Sequence, residues 1–130
     1  MTKKIIHTDH APKAVGPYSQ AVQLGGFLFC SGQISIDPKT QDVFTGEIKT
    51  QTEMVLKNIE AVLSQSGLQF SDIIKTTIFL TNMADFSVVN EVYATKFKSD
   101  PPARSTVAVT ALPKGVNVEI EVIAYKNIPA

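Results

Sequence analysis

Arg104, Glu119 and Glu121 are the side chains of this 130-residue chain with the clearest capacity for chemistry, and each stands where charge is unexpected. They lie in DPPARSTVAVTALPKGVNVEIEVIAY, residues 100–125, a stretch that otherwise alternates as sheet core does. A guanidinium fork matches a carboxylate through two parallel charge-assisted hydrogen bonds. A glutamate beside it can position or deprotonate a water molecule. On pattern alone a second reading stays open, in which all three are solvated or paired charges on a strand face.

Other candidates are sorted by what their surroundings allow. Tyr18 follows Gly16-Pro17 in AVGPYSQAV, where a tyrosine suits the rim of a cleft or of a core. In CSGQI, Ser31 precedes Gly32, whose missing side chain permits close approach by a ligand or another strand. A serine nucleophile is disfavoured, because the context is not G-x-S-x-G and no histidine stands in a triad setting. His7 and His10 lack an HExxH context and a third ligand, so no metal is expected. Neither G-x-G-x-x-G nor a P-loop motif is present, so no nucleotide cofactor is expected either. Cys30, the only cysteine, has no intramolecular partner for a disulfide and is expected to pack within FLFCSG. What remains is a cofactor-free site of Arg, Glu, Tyr, Ser and backbone groups, suited to a small carboxylate substrate.

The elements that must position these residues can be read from period and punctuation. Residues 3–7 read as a short strand, and 18–24 with 27–31 as a hairpin through Gly25-Gly26. TQTE at Thr50–Glu53 has the form of a capping box, and Val55, Ile59, Val62 and Leu63 follow at helical spacing, predicting a helix over 50–66 with Gly67 just beyond it. DIIKTTIFLT predicts a buried strand over 72–81. Asn82 or Asp85 can cap a second helix with an apolar face of Phe86, Val89, Val92, Tyr93 and Phe97, stopped by Pro101-Pro102. Residues 104–111 and 116–126 read as a final hairpin through LPKG. Arg104 and Thr106 would share one face of its first strand, and Glu119 and Glu121 one face of its second.

This order predicts a single α+β domain over 1–130, with a mixed sheet covered by two helices on one face. No further helix is available for the other face, so its apolar residues call for a second subunit and a closed homo-oligomer. Hydrophobic residues make up 44% and charged ones 18%, a globular composition. Twelve basic residues balance twelve acidic ones, which gives no general attraction to nucleic acid or to an acidic membrane. MTKKIIHTDH has no apolar signal region and no run approaches a membrane span, so a soluble, cytoplasmic protein is expected.

GPYSQAV, SGQI, VNEVYATKF and PPARSTVAVTALPKGVNVEIEVIA, with VLKNIEAVL and DIIKTTIFLTNMADF between them, resemble the RidA/YjgF family from about residue 4 to 126. The resemblance implies a chorismate-mutase-like α+β fold assembled as a homotrimer with ligand clefts between subunits. It also implies hydrolytic deamination of enamine and imine acids such as 2-aminoacrylate, giving a 2-keto acid and ammonia without a cofactor. By resemblance Arg104 grips the substrate carboxylate and Glu119 positions the attacking water. Tyr18, Ser31 and Asn90 line or support the cleft. Thr106 stands where the family often has cysteine, and its backbone carbonyl would help hold the water. Two other activities reported in the family remain as alternatives, non-catalytic binding of keto acids and RNA cleavage or translation inhibition. The balanced charge disfavours the last.

Overall fold

A computed structural model describes residues 2–126; the expected domain also takes in Met1 and 127–130, which lie outside the described residues. Strands β1 (Lys4–Ile6), β2 (Ala21–Leu24) and β3 (Phe27–Gln33) form an antiparallel meander. Helix α1 (Ile48–Gln65) leads to β4 (Ile73–Leu80), and helix α2 (Phe86–Ala94) leads to β5 (Ala103–Ala108). Strand β6 (Val118–Tyr125) follows. The six strands form one sheet in the order β1-β2-β3-β6-β4-β5. Its β4–β5 pair is parallel and every other pair antiparallel, so the expected mixed sheet with two helices is observed.

Both helices pack on the same face. Val55, Leu56, Ile59, Val62 and Leu63 of α1 and Val89 and Tyr93 of α2 join Leu28, Ile78, Leu80, Val118, Ile120 and Val122 in one core. Burial of each such aliphatic side chain stabilises the fold by about 1.5–3 kcal/mol. Cys30 points into this core as expected, and burial pushes its thiol up to about 12.

The final hairpin is the main correction. Strand β5 does not pair with β6: it lies parallel to β4 at the sheet edge, while β6 inserts between β3 and β4. Residues 109–117 are not a tight turn. They cross the end of β4, with the Val109 N–H donating to the Leu80 carbonyl and the Thr81 N–H to the Asn117 carbonyl. The insertion lets β6 bury Val118, Ile120, Val122 and Ala124 at the centre of the sheet, whereas a local hairpin would have left it near the edge.

Smaller differences have local causes. Helix α1 begins two residues before Thr50, so that Ile48 packs on the core, and no capping box forms. The Thr50 hydroxyl instead donates to the Glu47 carboxylate at 3.0 Å. The helix does end as expected: Gly67 takes φ 72° and the Leu68 N–H returns to the Leu63 carbonyl. Asn82 caps a single 3-10 turn, accepting from the Ala84 N–H, and α2 starts after it. Phe97 lies beyond α2 but still stacks against Tyr93 at 4.5 Å.

Gln51, buried on α1, ties three segments together. Its amide nitrogen donates to the Gly46 carbonyl and to Asn117 Oδ1, and its amide oxygen accepts the Asn117 N–H. Asn117 in turn donates to Thr81 Oγ1. Replacing Gln51 by alanine strands these groups and is expected to destabilise the protein by about 2–3 kcal/mol. Urea unfolding at fixed protein concentration measures this, and a change below about 0.5 kcal/mol would contradict the assignment.

Candidate functional site

The sheet divides the expected site residues between its two faces. Arg104 pairs in register with Thr76, which faces the helices, as does Val122 on the far side of Thr76. Glu119 pairs with Phe79 and points away from the helices, as does Glu121. Within one chain, therefore, Arg104 and Glu119 line separate clefts.

The first cleft, about 360 Å³, is lined by Asn90, Tyr93, Phe97, Pro101, Pro102 and Arg104. Tyr93 projects from α2 and its hydroxyl hydrogen-bonds Thr76 Oγ1 at 2.8 Å, which fixes the ring against the sheet. Burial raises the Tyr93 hydroxyl's pKa, opposed by the Thr76 hydrogen bond and the Arg104 charge. The Arg104 guanidinium lies over this ring at 5.0 Å and over Phe86 at 5.4 Å. Its Nη1 donates to Asn90 Oδ1 at 2.7 Å. Among the described residues only one of its five N–H donors is engaged in this way, and it forms no ion pair. The guanidinium is exposed, oriented from two sides, and has donors left for an anion.

Thr106 follows two residues along β5 on the same face, and its hydroxyl is buried without a hydrogen-bond partner among the described residues. Its carbonyl is better placed for binding. The Val109 N–H reaches β4, and backbone direction alternates along a parallel strand. The carbonyls of Arg104 and Thr106 therefore lie on the outer, unpaired side of this edge strand.

The second cleft, about 380 Å³, holds Tyr18, Ser31, Gly32 and Glu119, with Lys13 and Lys114 among its other walls. Tyr18 is 55% exposed. Ser31 is committed to structure: its hydroxyl donates to the Ser19 carbonyl at 2.6 Å and its N–H to the Gln20 carbonyl at 2.9 Å. These bonds hold residues 18–20 beside β3 outside the ladder, so β2 starts at Ala21 rather than at 18. The β3–β6 register shifts between Cys30 and Gln33, which sets Ser31 and Gly32 in a bulge against Glu119. Burial, and secondarily the neighbouring Glu121 charge, raises the pKa of the Glu119 carboxyl.

Gln20 had no role in the sequence reading, yet it frames this cleft. It is buried, its side-chain Oε1 accepts the Thr8 N–H, and its side-chain Nε2 donates to the backbone carbonyls of Thr8, Ala11 and Pro12. The available signal was an amide directly before the apolar pair Ala21-Val22 in GPYSQAV. Among the described residues no three His, Cys, Asp or Glu side chains gather as a metal-ligand set, and no helix is long and apolar enough to cross a membrane.

The open face of the sheet carries an apolar cluster. Phe27 stacks on Phe29 at 6.0 Å and meets Tyr125 edge-on at 4.9 Å. Phe27, Phe29, Val107 and Tyr125 are each 39–45% exposed. Lys75 crosses the same face to donate to Ser105 Oγ.

Residues 8–126 match the family described as Endoribonuclease L-PSP. A mouse protein named 2-iminobutanoate/2-iminopropanoate deaminase is 43% identical over 125 residues, covering 96% of this chain and 93% of its own. The crystal structure of RidA from the Antarctic bacterium Psychrobacter sp. PAMC 21119 superposes with a TM-score of 0.90 at 45% identity, covering 94% and 98% of the two chains. That of E. coli TdcF with bound serine gives 0.90 at 42% identity, covering 95% and 99%.

Proposed function

From the chain's membership of the RidA/YjgF/L-PSP family, we propose that it hydrolyses reactive 2-enamine and 2-imine acids to 2-keto acids and ammonia. The observation that carries this reading is the Arg104 guanidinium, oriented by Asn90 and two aromatic rings with most of its donors unused. A relative solved with serine bound, a small amino acid with a carboxylate, agrees in ligand class.

Arg104 and Glu119 lie on opposite faces, so a site that uses both is assembled from two chains. One subunit contributes the Arg104 cleft and its neighbour the Glu119 cleft. The exposed aromatic cluster on the open face is the surface expected to bring them together, in a closed trimer. The substrate carboxylate takes two parallel N–H donors of Arg104. Water held between the Glu119 carboxylate and the Thr106 carbonyl attacks the imine carbon, and Glu119 accepts its proton as the C–O bond forms. The imine nitrogen takes a proton from solvent, which completes a carbinolamine. Glu119 then returns its proton to that nitrogen, and as the C–N bond breaks the carbinolamine hydroxyl gives up its proton to solvent, leaving the 2-keto acid and ammonia. Imines hydrolyse unaided in water, so positioning and modest water activation suffice. Tyr18 walls the cleft and Ser31 holds its rim in place.

The test couples the protein to a pyridoxal-phosphate-dependent serine dehydratase and follows keto-acid release. Acceleration above the spontaneous rate is expected. Saturable keto-acid binding without acceleration would sink the enzyme reading in favour of a binding protein. The family description also names RNA cleavage. Twelve basic against twelve acidic residues weigh against a backbone-tracking surface, and RNA binding with a steep salt dependence would overturn that.

The pH dependence follows from Glu119. It must be ionised to take a proton from water, and both its burial and the Glu121 charge favour the neutral form. Turnover is therefore expected to fall, as pH is lowered, at higher pH than an ordinary glutamate would give. Glu121→Gln removes one of the two causes and should move this acid limb to lower pH. A limb that stays in place in that variant would count against the assignment.

A further inference from the structure

Gly32 raises a question that the reaction scheme leaves open. A residue without a side chain in a sheet interior usually marks a close approach, and the partner here is internal to the chain. A Cβ built on Gly32 would overlap the Glu119 carboxylate oxygen Oε2 and come within 2.8 Å of its Cδ and 3.0 Å of its Cγ. The Glu119 side chain thus lies folded over the bare backbone of the β3 bulge. Among the described residues its carboxylate has no hydrogen-bond or ion-pair partner that could hold it there. Shape is what fixes it.

We infer that Gly32 is a positioning residue for the reaction: its missing side chain forms the slot that seats the Glu119 carboxylate at the water site. The catalytic part of this inference rests on the deaminase reading, and the slot itself does not. Glu121 faces Glu119 from β6, Phe79 is its cross-strand neighbour on β4, and Lys13, Tyr18 and Lys114 line the rest of the cleft. Among the described residues neither lysine forms an ion pair with the carboxylate and Tyr18 forms no hydrogen bond with it. Gly32 does not occupy the left-handed region, so alanine meets no backbone strain there. The obstruction is the far end of a flexible side chain, which can swing out into solvent.

Gly32→Ala is therefore expected to lower kcat about 10- to 100-fold by displacing the carboxylate. KM, set by the Arg104 clamp, should stay within about twofold. In a Glu119→Ala background the same substitution should have no further effect on kcat, because its target is gone. A substrate-free measurement runs in parallel, a 13C NMR titration of the Glu119 carboxyl. Released from its slot, that carboxyl should titrate nearer the ordinary glutamate range in Gly32→Ala. Wild-type kcat with an unmoved titration, or an equal loss in the Glu119→Ala background, would overturn the inference. Unfolding of Gly32→Ala that the added Glu119→Ala relieves reports the same collision and supports it. Unfolding of both variants places the clash elsewhere and overturns it. A wild-type protein without imine turnover, in which Gly32→Ala still shifts the Glu119 titration, would sink the deaminase reading and leave the slot standing.

Discussion

Arg104→Ala is expected to lower kcat/KM for the imine about a hundredfold or more, because it removes the proposed bidentate charge-assisted contact, worth roughly 3 kcal/mol. Arg104→Lys should recover little of this. An ammonium has no planar fork, and it cannot lie over Phe86 and Tyr93 while donating to Asn90 as the guanidinium does. Glu119→Gln should be similarly impaired, since a general base contributes about 10²- to 10⁴-fold. The informative experiment mixes the two inactive chains. If each site takes Arg104 from one subunit and Glu119 from the next, random one-to-one assembly in a closed ring leaves about one quarter of sites with both groups intact. Co-expressed Arg104→Ala and Glu119→Gln chains should then recover activity near that fraction. Mixtures as inactive as their parents would show that no site draws on two chains.

Phe29→Asp carries the second large effect. Phe29 lies on the open face, stacked near Phe27, which in turn meets Tyr125. Neither helix covers this cluster, and burying it against a second subunit is worth about 1.5–3 kcal/mol for each large side chain. An aspartate there must instead lose its hydration without a partner, which costs several kcal/mol more. The expected result is a monomer by sedimentation with helical content retained and imine turnover lost, although Arg104 and Glu119 are both unaltered. A wild-type protein that sediments as a monomer and still turns over substrate would remove the two-chain site. So would a Phe29→Asp variant with full activity.

The elements that the sequence announced most clearly were those with local periodicity. Helix α1 could be read from Val55, Ile59, Val62 and Leu63 and from Gly67 beyond them, because helix burial repeats within a few residues. The pairing of β5 was not legible. Parallel neighbours such as Thr76 and Arg104 are brought together across α2, and no turn residue signals such a pairing. LPKG looked like a hairpin turn because a turn does occur there, with Lys114 at φ 58° and Gly115 at φ 75°. That turn belongs to a longer crossing over the end of β4. Arg104 and Glu119 stood out as charges among apolar neighbours. Their division between opposite faces followed only from the strand order. Gln20 and Gln51 went unnoticed because an amide's worth depends on distant carbonyls and N–H groups, such as Pro12 for one and Asn117 for the other.

The central place of β6 also governs when the molecule can fold during its own synthesis. Residues 118–125 leave the ribosome after the five other described strands, yet they supply the strand on which both β3 and β4 must zip. Until they emerge, β3 and β4 each present a bare edge, and the apolar side chains of α1 lack the middle of their floor. Folding of this domain is therefore deferred until β6 emerges, when the two halves of the sheet close in one step. Glu119 arrives on that same strand. A polypeptide cut short before Val118 would lack Glu119, the carboxylate proposed to position water, and the central strand of the sheet together. Truncated synthesis should accordingly yield substrates for chaperones and proteases rather than folded but inert chains.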